Sequence, residues 1–405
     1  MKRSLYLCLL LCIFFSGCTS FVPTKEVSDT SGDTDICIHQ FACTVDAMGD
    51  DTNEGIYFYD MTYAIDDSEY LYYFDDASGQ IVKLCRKINC RHNNENCDAY
   101  FGSINNSITL YNNRIYLWAF HNVPGKGNMA SLYSVKSDGS DRTDYGFQNI
   151  DGTTPGAKQT VIYKDTLYMI CDLGPSGNSS YSYKVFMQPL EHDQRAQLLY
   201  ESPDQEREHS LSDLHTSDDT LWLTDTTYIS SDSLCSELIA IDLRTGKPQT
   251  ILTADNGRIH YTKKGSLIYY CIQAPGSGQY SPVHKFDPES KEDTIFAQQG
   301  GKLAFDGQYF FTAACSSDSR KADIYITDEN GTLVKTIPSE AIQSRISKPH
   351  VRIFQHHIYI EDMDFDVTDS TGPRALIAEK NDLLKDSKAP WYFVTSNGIS
   401  KISLE

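Results

Sequence analysis

The chain has 405 residues, 55 of them acidic against 35 basic, and a formal net charge of −20. So acidic a surface argues against nucleic acid as a partner and against adhesion to anionic lipid headgroups. An aromatic content of 12%, with 26 tyrosines, is that of a folded body.

The first residues read Met1-Lys2-Arg3, then an apolar run from Leu5 to Phe15, then Ser16-Gly17-Cys18. Two positive charges, a short apolar core and small residues before a cleavage point make a secretory signal over residues 1–17. The run is shorter than the roughly 20 residues that a bilayer span needs, so no permanent transmembrane helix is expected there. Phe15-Ser16-Gly17-Cys18 resembles the lipobox of bacterial lipoproteins, whose cysteine receives a diacylglyceryl group before cleavage on its N-terminal side. Cys18 is therefore the expected site of lipidation and the mature N-terminus. Loss of Lys2 and Arg3 takes the formal charge from −20 to −22. Residues 18–35, rich in Ser, Thr and Asp, read as a flexible tether. The expected address is the extracytoplasmic face of the cell membrane, held by acyl chains at about 0.8 kcal/mol per buried methylene.

Residues 36–405 are long for one domain unless the fold is built from repeats. A short unit with paired aliphatic and aromatic residues does recur: "GIYFY" near 55, "RIYLW" near 114, "TLYMI" near 166 and "TLWLT" near 220. It continues as "SLIYY" near 266, "QYFFT" near 308 and "HIYIE" near 357. The spacing, about 50 residues, is that of propeller blades. Most units follow a tight polar turn such as "YNNR", "YKDT", "SDDT" or "FDGQ", which joins two antiparallel strands. A second hairpin follows each unit, as in "YYFDDASGQIVKL", "IAIDLRTGKPQTIL" and "WYFVTSNGISKISL". Two hairpins per repeat make a four-stranded blade. The expected fold is all-β, a seven-bladed β-propeller of antiparallel blades, with six or eight blades as the alternatives. The first inner strand falls on "ICIHQFACTVDA" (36–47). "ALIAEKNDLLKD" (375–386) reads as a helix inserted before the last hairpin.

Alternate connections in such a blade emerge on one face. There the long loops gather: residues 86–106, "HNVPGKGNMA", "DLGPSGNSSYS", "QAPGSGQYSP" and the blade-seven insertion. Long loops on a rigid scaffold are where binding usually sits.

Motifs for chemistry are sparse. There is no nucleophile-elbow pentapeptide, no Gly-Lys-Ser phosphate loop and no His-Glu-x-x-His. His121, His260 and His284 have no partner identifiable in sequence. Asp362, Asp364 and Asp366 alternate, so an extended segment would put all three on one side, as for a hard cation. Val367 stands where a calcium loop needs glycine, so a solvated acidic loop is favoured. Nine cysteines follow Cys18, an odd number, so at least one has no intrachain partner. Cys171, Cys271 and Cys315 sit beside the aromatic units as small buried hydrophobes. Cys37 and Cys43 fall in the expected first strand.

The densest motif is "KLCRKINCRHNNENCDAYF", which gathers Cys85, Cys90, His92 and Cys97 in the connection from blade one to blade two. Two readings compete, with reduced buried thiols as the remaining alternative. An oxidising compartment favours a disulfide within the set, or with Cys37 or Cys43, stapling the loop by about 2–3 kcal/mol. A tetrahedral site uses all four residues and matches the Cys3His ligand set of structural zinc. Ligand economy favours the metal.

Lipobox, acidic tether, "LYYFDDASGQIVKLC" running into "CRHNNENCDAYF", and aromatic blades together resemble a group of uncharacterised lipoproteins of low-GC Gram-positive bacteria with propeller domains of unknown function. The resemblance implies a membrane-anchored extracytoplasmic protein and carries no activity with it. The expected function is binding of a partner protein, peptide or glycan through the long-loop face. The rival is a glycan-acting lyase or hydrolase with its groups at the channel mouth; a scaffold within a membrane complex is a third possibility.

Overall fold

The computed structural model describes residues 49–59, 70–125, 127–148, 156–172, 183–191, 195–203, 207–230, 232–276, 278–315, 322–347, 349–362, 374–385, 389–395 and 398–404. These residues form seven antiparallel sheets, each from consecutive strands. Blade 1 is β1 (Gly49–Thr52), β2 (Gly55–Tyr59), β3 (Leu71–Asp75) and β4 (Gln80–Lys83). Blade 2 is β5 (Ser103–Tyr111), β6 (Arg114–Val123), β7 (Gly127–Lys136) and β8 (Thr143–Gln148). Blade 3 is β9 (Gly156–Tyr163), β10 (Thr166–Asp172), β11 (Tyr183–Pro189) and β12 (Gln197–Glu201). Blade 4 is β13 (Glu208–Ser217), β14 (Thr220–Ser230), β15 (Ser233–Asp242) and β16 (Lys247–Ala254). Blade 5 is β17 (Arg258–Lys264), β18 (Leu267–Gln273), β19 (Val283–Phe286) and β20 (Asp293–Ala297). Blade 6 is β21 (Lys302–Phe305), β22 (Phe310–Cys315), β23 (Ala322–Thr327) and β24 (Leu333–Ile337). Blade 7 is β25 (Pro349–Ile353), β26 (His357–Asp362), β27 (Arg374–Glu379), β28 (Trp391–Thr395) and β29 (Gly398–Ile402). The fold is the expected seven-bladed propeller.

The recurring aromatic unit is the second strand of each blade, and its composition has a simple cause. Alternate side chains of a strand point to opposite faces of the sheet, and here both faces meet another blade. In β2, Ile56 and Phe58 pack toward blade 7 while Tyr57 and Tyr59 pack toward blade 2. In β14, Leu221 and Leu223 face blade 3 while Trp222 faces blade 5. A strand buried on both faces reads as a continuous apolar run without polar alternation. The interior is accordingly divided into seven apolar clusters, one at each seam between neighbouring blades.

The inner hairpins turn tightly. Asn112-Asn113, Lys164-Asp165 and Asp218-Asp219 each carry two successive positive φ angles, the signature of two-residue type I′ turns. These turns also tie blade to blade. The Tyr111 hydroxyl accepts the Asp165 N–H at 3.1 Å, and the Tyr163 hydroxyl donates to Asp219 at 3.2 Å.

Three expectations need correction. The inner strand of blade 1 is β1, not residues 36–47, which lie outside the described residues. The Asn53-Glu54 turn pairs Thr52 with Gly55 and fixes that register. Residues 374–379 are strand, and the helix expected over 375–386 is confined to Lys380–Lys385. Leu376 and Ala378 pack toward blade 6, Ala375 and Ile377 toward blade 1, and burial on two faces overrides helix propensity. Blade 7 thereby gains a fifth strand, and the helical part of the insertion joins β27 to β28 at the inner-turn end of the ring, not on the long-loop face where it was expected. A further short helix, α1 (Ser339–Gln343), precedes blade 7, and the Lys380–Lys385 segment is α2. Among the described residues no helix is long and apolar enough to cross a membrane.

Blades 1 and 7 share no strand, so their seam closes through side chains. His357, fully buried, places Nδ1 2.8 Å from Asp51 and Nε2 2.8 Å from Asp76. Asp51 also accepts the backbone N–H groups of Gln355, His356 and His357 at 2.8–3.2 Å. Tyr392 stacks edge-on against Phe74, and Phe58 meets Tyr359 beside them. Burial alone would push the imidazole toward neutrality, but the two carboxylates outweigh it and lift its pKa from 6.5 to about 9. Because the folded pKa is the higher one, this contribution is complete below about pH 6.5 and is lost as pH rises through about 9. Its size is on the order of 3 kcal/mol. Urea unfolding midpoints of the wild type should therefore fall from neutral to alkaline pH more steeply than those of His357→Gln. Parallel curves for the two proteins would refute a charged latch.

Candidate metal centre

The connection from β4 to β5 brings Cys85, Cys90, His92 and Cys97 together, one ligand atom from each lying within 4.8 Å of the others. Its backbone is wound in short turns: Cys90 N–H reaches the Lys87 carbonyl, Cys97 N–H that of Asn94, and Tyr100 N–H that of Cys97. Asn89 and His92 both adopt positive φ, which folds the chain back on itself at two points. Two lysines brace these turns from outside. Lys83 Nζ donates to the His92 carbonyl at 2.7 Å and lies over the Tyr70 ring, and Lys87 Nζ pairs with Asp98 at 2.8 Å.

The donor set fits a soft, tetrahedral cation. A zinc ion with bonds of about 2.3 Å to sulfur sets its ligand atoms roughly 3.5–4 Å apart. His92 Nδ1 already stands 3.3 Å from Cys97 Sγ. The His92 N–H donates to Cys90 Sγ at 3.4 Å, the kind of bond that stabilises a thiolate. Burial raises the Cys90 thiol, but this N–H and the neighbouring thiols outweigh it and draw its pKa down. Burial pushes Cys97 up to about 12, and burial with the Lys83 charge lowers the pKa of His92. Cys85 and Cys97 are buried, and Cys90 and His92 half-buried, with their ligand atoms gathered within 4.8 Å of one another. A site with four protein ligands leaves no open position for substrate.

The connection braces the outer seam between blades 1 and 2. Arg86 pairs with Asp138 in the β7–β8 turn, and Arg142 donates to the Tyr100 carbonyl at 2.5 Å while lying over the Phe101 and Tyr133 rings. Gly139 is forced there: its φ is +79°, and a Cβ would sit 2.7 Å from the Leu84 carbonyl.

The other sequence candidates are placed within the framework. His121 bonds the Tyr133 hydroxyl, His260 bonds Gln273 and His284 pairs with Asp293. Cys171 and Cys271 are fully buried. Asp362 accepts from the Ser347 N–H and hydroxyl at 2.9–3.0 Å, which makes it a cap within blade 7. Asp364, Asp366, Cys18, Cys37 and Cys43 lie outside the described residues.

Two polar clusters were invisible to motif reading because their members come from different strands. His350 Nδ1 and Arg352 Nη2 both reach Glu361 Oε1, at 2.8 and 2.6 Å, across β25 and β26. Burial opposes the Glu361 charge, but Arg352 and His350 hold its pKa down at about 2. The cavity beside this cluster is about 10 Å³, room for a water molecule and not a substrate. Ser202, His209 and Asp225 form the second cluster. Ser202 Oγ is nearer Nδ1 (2.9 Å) than Nε2 (3.4 Å), and Asp225 also sits on Nδ1 at 3.2 Å. A catalytic triad needs base and orienting carboxylate on opposite ring nitrogens, with the hydroxyl open to substrate. Here one nitrogen serves both and all three residues are buried.

No family model matches the chain, and no curated protein does. Among solved structures, the chain is similar to one from a study of two prolyl endopeptidases, with a TM-score of 0.55 at 9% identity over 90% of this chain and 51% of that one. It is also similar to prolyl oligopeptidase B from Galerina marginata (TM-score 0.46, 14% identity, 82% and 49% covered). A third is the oligogalacturonate lyase from Vibrio parahaemolyticus (TM-score 0.43, 12% identity, 72% and 74% covered). The chain spans about half the length of the first of these structures, and the likeness is one of fold.

Alkylation of the unreduced, denatured protein followed by peptide mapping should find Cys85, Cys90 and Cys97 as free thiols. A disulfide joining any two of them would overturn the ligand assignment.

Proposed function

We propose that the chain is a lipid-anchored extracytoplasmic binding protein, tethered through Cys18, whose propeller engages a protein, peptide or glycan through its long-loop face. In this reading Cys85, Cys90, His92 and Cys97 hold a structural zinc ion that stiffens the connection between blades 1 and 2. The observation that carries the binding reading is the state of the buried titratable clusters. Asp51–His357–Asp76, His350–Arg352–Glu361 and Ser202–His209–Asp225 all spend their chemistry inside or between blades. Groups engaged with one another in closed seams serve architecture, and recognition is left to the surface.

Purified without chelator, the protein should carry close to one zinc per chain by elemental mass spectrometry, and Cys97→Ser should lose both the metal and thermal stability. Zinc far below stoichiometric would end the metal reading.

The address and the face are tested separately. Cys18→Ala should move the protein out of the membrane fraction; an unchanged distribution would end the anchoring reading. A thermal-shift panel of glycans and peptides should yield a ligand whose binding is weakened by charge or bulk at Gly125 or Gly278 and not by Asp218→Ala. Turnover of a glycan in that panel would favour the lyase or hydrolase reading instead.

A further inference from the structure

At the end of the ring opposite the long loops, a cleft of about 150 Å³ opens between the inner turns of blades 6 and 7. Its floor is an ion pair: Lys380 Nζ lies 2.6 Å from Asp306 Oδ2, with side chains only 4% and 9% exposed. The other oxygen of Asp306 accepts the N–H groups of Gln308 and Tyr309 at 3.0 and 2.8 Å. Tyr309 and Leu384 form an apolar wall, both packed on the cluster between blades 6 and 7. The carboxamides of Gln308, Gln355 and Asn381 and the imidazole of His356 complete the lining.

We propose that this cleft binds a small, neutral, polyhydroxylated ring, of the class of a monosaccharide or the terminal sugar of a glycan. The alternatives fail on charge and polarity. An anion finds the Lys380 charge already committed to Asp306, on a chain of net charge −20. A cation finds the Asp306 carboxylate likewise committed to Lys380 and to two backbone N–H groups. Gln308 Nε2 already reaches the Tyr309 hydroxyl at 3.3 Å, but a wholly apolar ligand would cover the carboxamides of Gln355 and Asn381 and the His356 imidazole without offering them a hydrogen bond, which costs free energy for each. Hydroxyls both donate and accept, as carboxamides and a neutral imidazole do, so a ring of hydroxyls can satisfy this lining from several sides. Burial holds His356 below its ordinary pKa, so the imidazole offers one donor and one acceptor. One apolar face of the ring then lies against Tyr309 and Leu384. The volume suits a single small ring, well below the roughly 300 Å³ at which drug-sized pockets begin.

The cleft is also joined to the closure of the ring. Asp51 of blade 1 holds the N–H groups of Gln355 and His356, whose side chains line the cleft. A ligand bound there would lean on the turn that closes blade 7 onto blade 1. This site stands independently of the long-loop reading.

Titration of the full folded chain with glucose, galactose, N-acetylglucosamine and myo-inositol, followed by saturation-transfer NMR and calorimetry, tests the assignment. At least one should bind saturably in the millimolar range, weakened about tenfold by Asn381→Ala and by Gln308→Ala, two exposed positions. Asp218→Ala, in the β13–β14 turn of blade 4, should leave that affinity unchanged. Preference for a free sugar over myo-inositol would identify a sugar site, and tighter binding of an oligosaccharide would mark a glycan terminus. No saturable binding of any of the four would overturn the proposal. So would binding that survives both cleft substitutions, or, with galacturonate titrated alongside as a charged control, tighter binding of galacturonate than of galactose.

Discussion

The seam between the first and last blades decides whether seven sheets become one ring, because blade 1 ends at Lys83, blade 7 begins at Pro349, and no described strand crosses between them. The other six seams join blades that follow one another in the chain. This one must bring together residues some 300 positions apart, and the loop-closure entropy falls on side chains alone. The structure meets it with an apolar cluster shared by Ile56, Phe58, Phe74, Tyr359 and Ile377, and with the His357 imidazolium held between Asp51 and Asp76. Four hydrogen bonds converge on the Asp51 carboxylate, from the backbone N–H groups of Gln355, His356 and His357 and from His357 Nδ1, so removing that one side chain would strand several donors at once.

Buried charge is a costly way to join two surfaces, since desolvation can exceed the attraction recovered. Its advantage is direction. Apolar faces of neighbouring blades can slide or rotate against each other, whereas His357 accepts only one register of Asp51 on one side and Asp76 on the other. Similar ties recur around the turn face, with Tyr111, Tyr163, Lys164 and Lys380 each reaching a turn of the adjacent blade or of the next seam. The Cys3His connection performs the corresponding task at the outer rim, between blades 1 and 2. On the proposed reading, architecture and recognition divide along the molecule: rigid ties in the seams, open chemistry on the loops and in the cleft between blades 6 and 7.

The repeat was legible in the sequence because its cause is local. A strand sandwiched between two blades must be apolar through its centre, so "GIYFY", "TLYMI" and "HIYIE" announce themselves without an alignment. The turns were legible for the same reason, since paired Asn and Asp residues tolerate the left-handed backbone that a two-residue hairpin needs. Cys85, Cys90, His92 and Cys97 could be grouped because they are close in the chain. Strand β27 could not be read correctly: "ALIAE" favours a helix by propensity, and only the two blades packed on its faces make it a strand.

By itself, then, the sequence determined the blade count, the all-β class and the membership of the Cys3His set, all of which depend on residues within a blade or a single connection. Tertiary structure alone decided the rest. Asp51 with His357, His209 with Asp225, and Asp306 with Lys380 are pairs in which each partner looks like an ordinary polar residue in its own segment. Their meaning arises when ring closure and strand pairing place them a hydrogen bond apart in a medium without water. No short-range pattern records that distance, because the constraint that creates it is the closing of the ring.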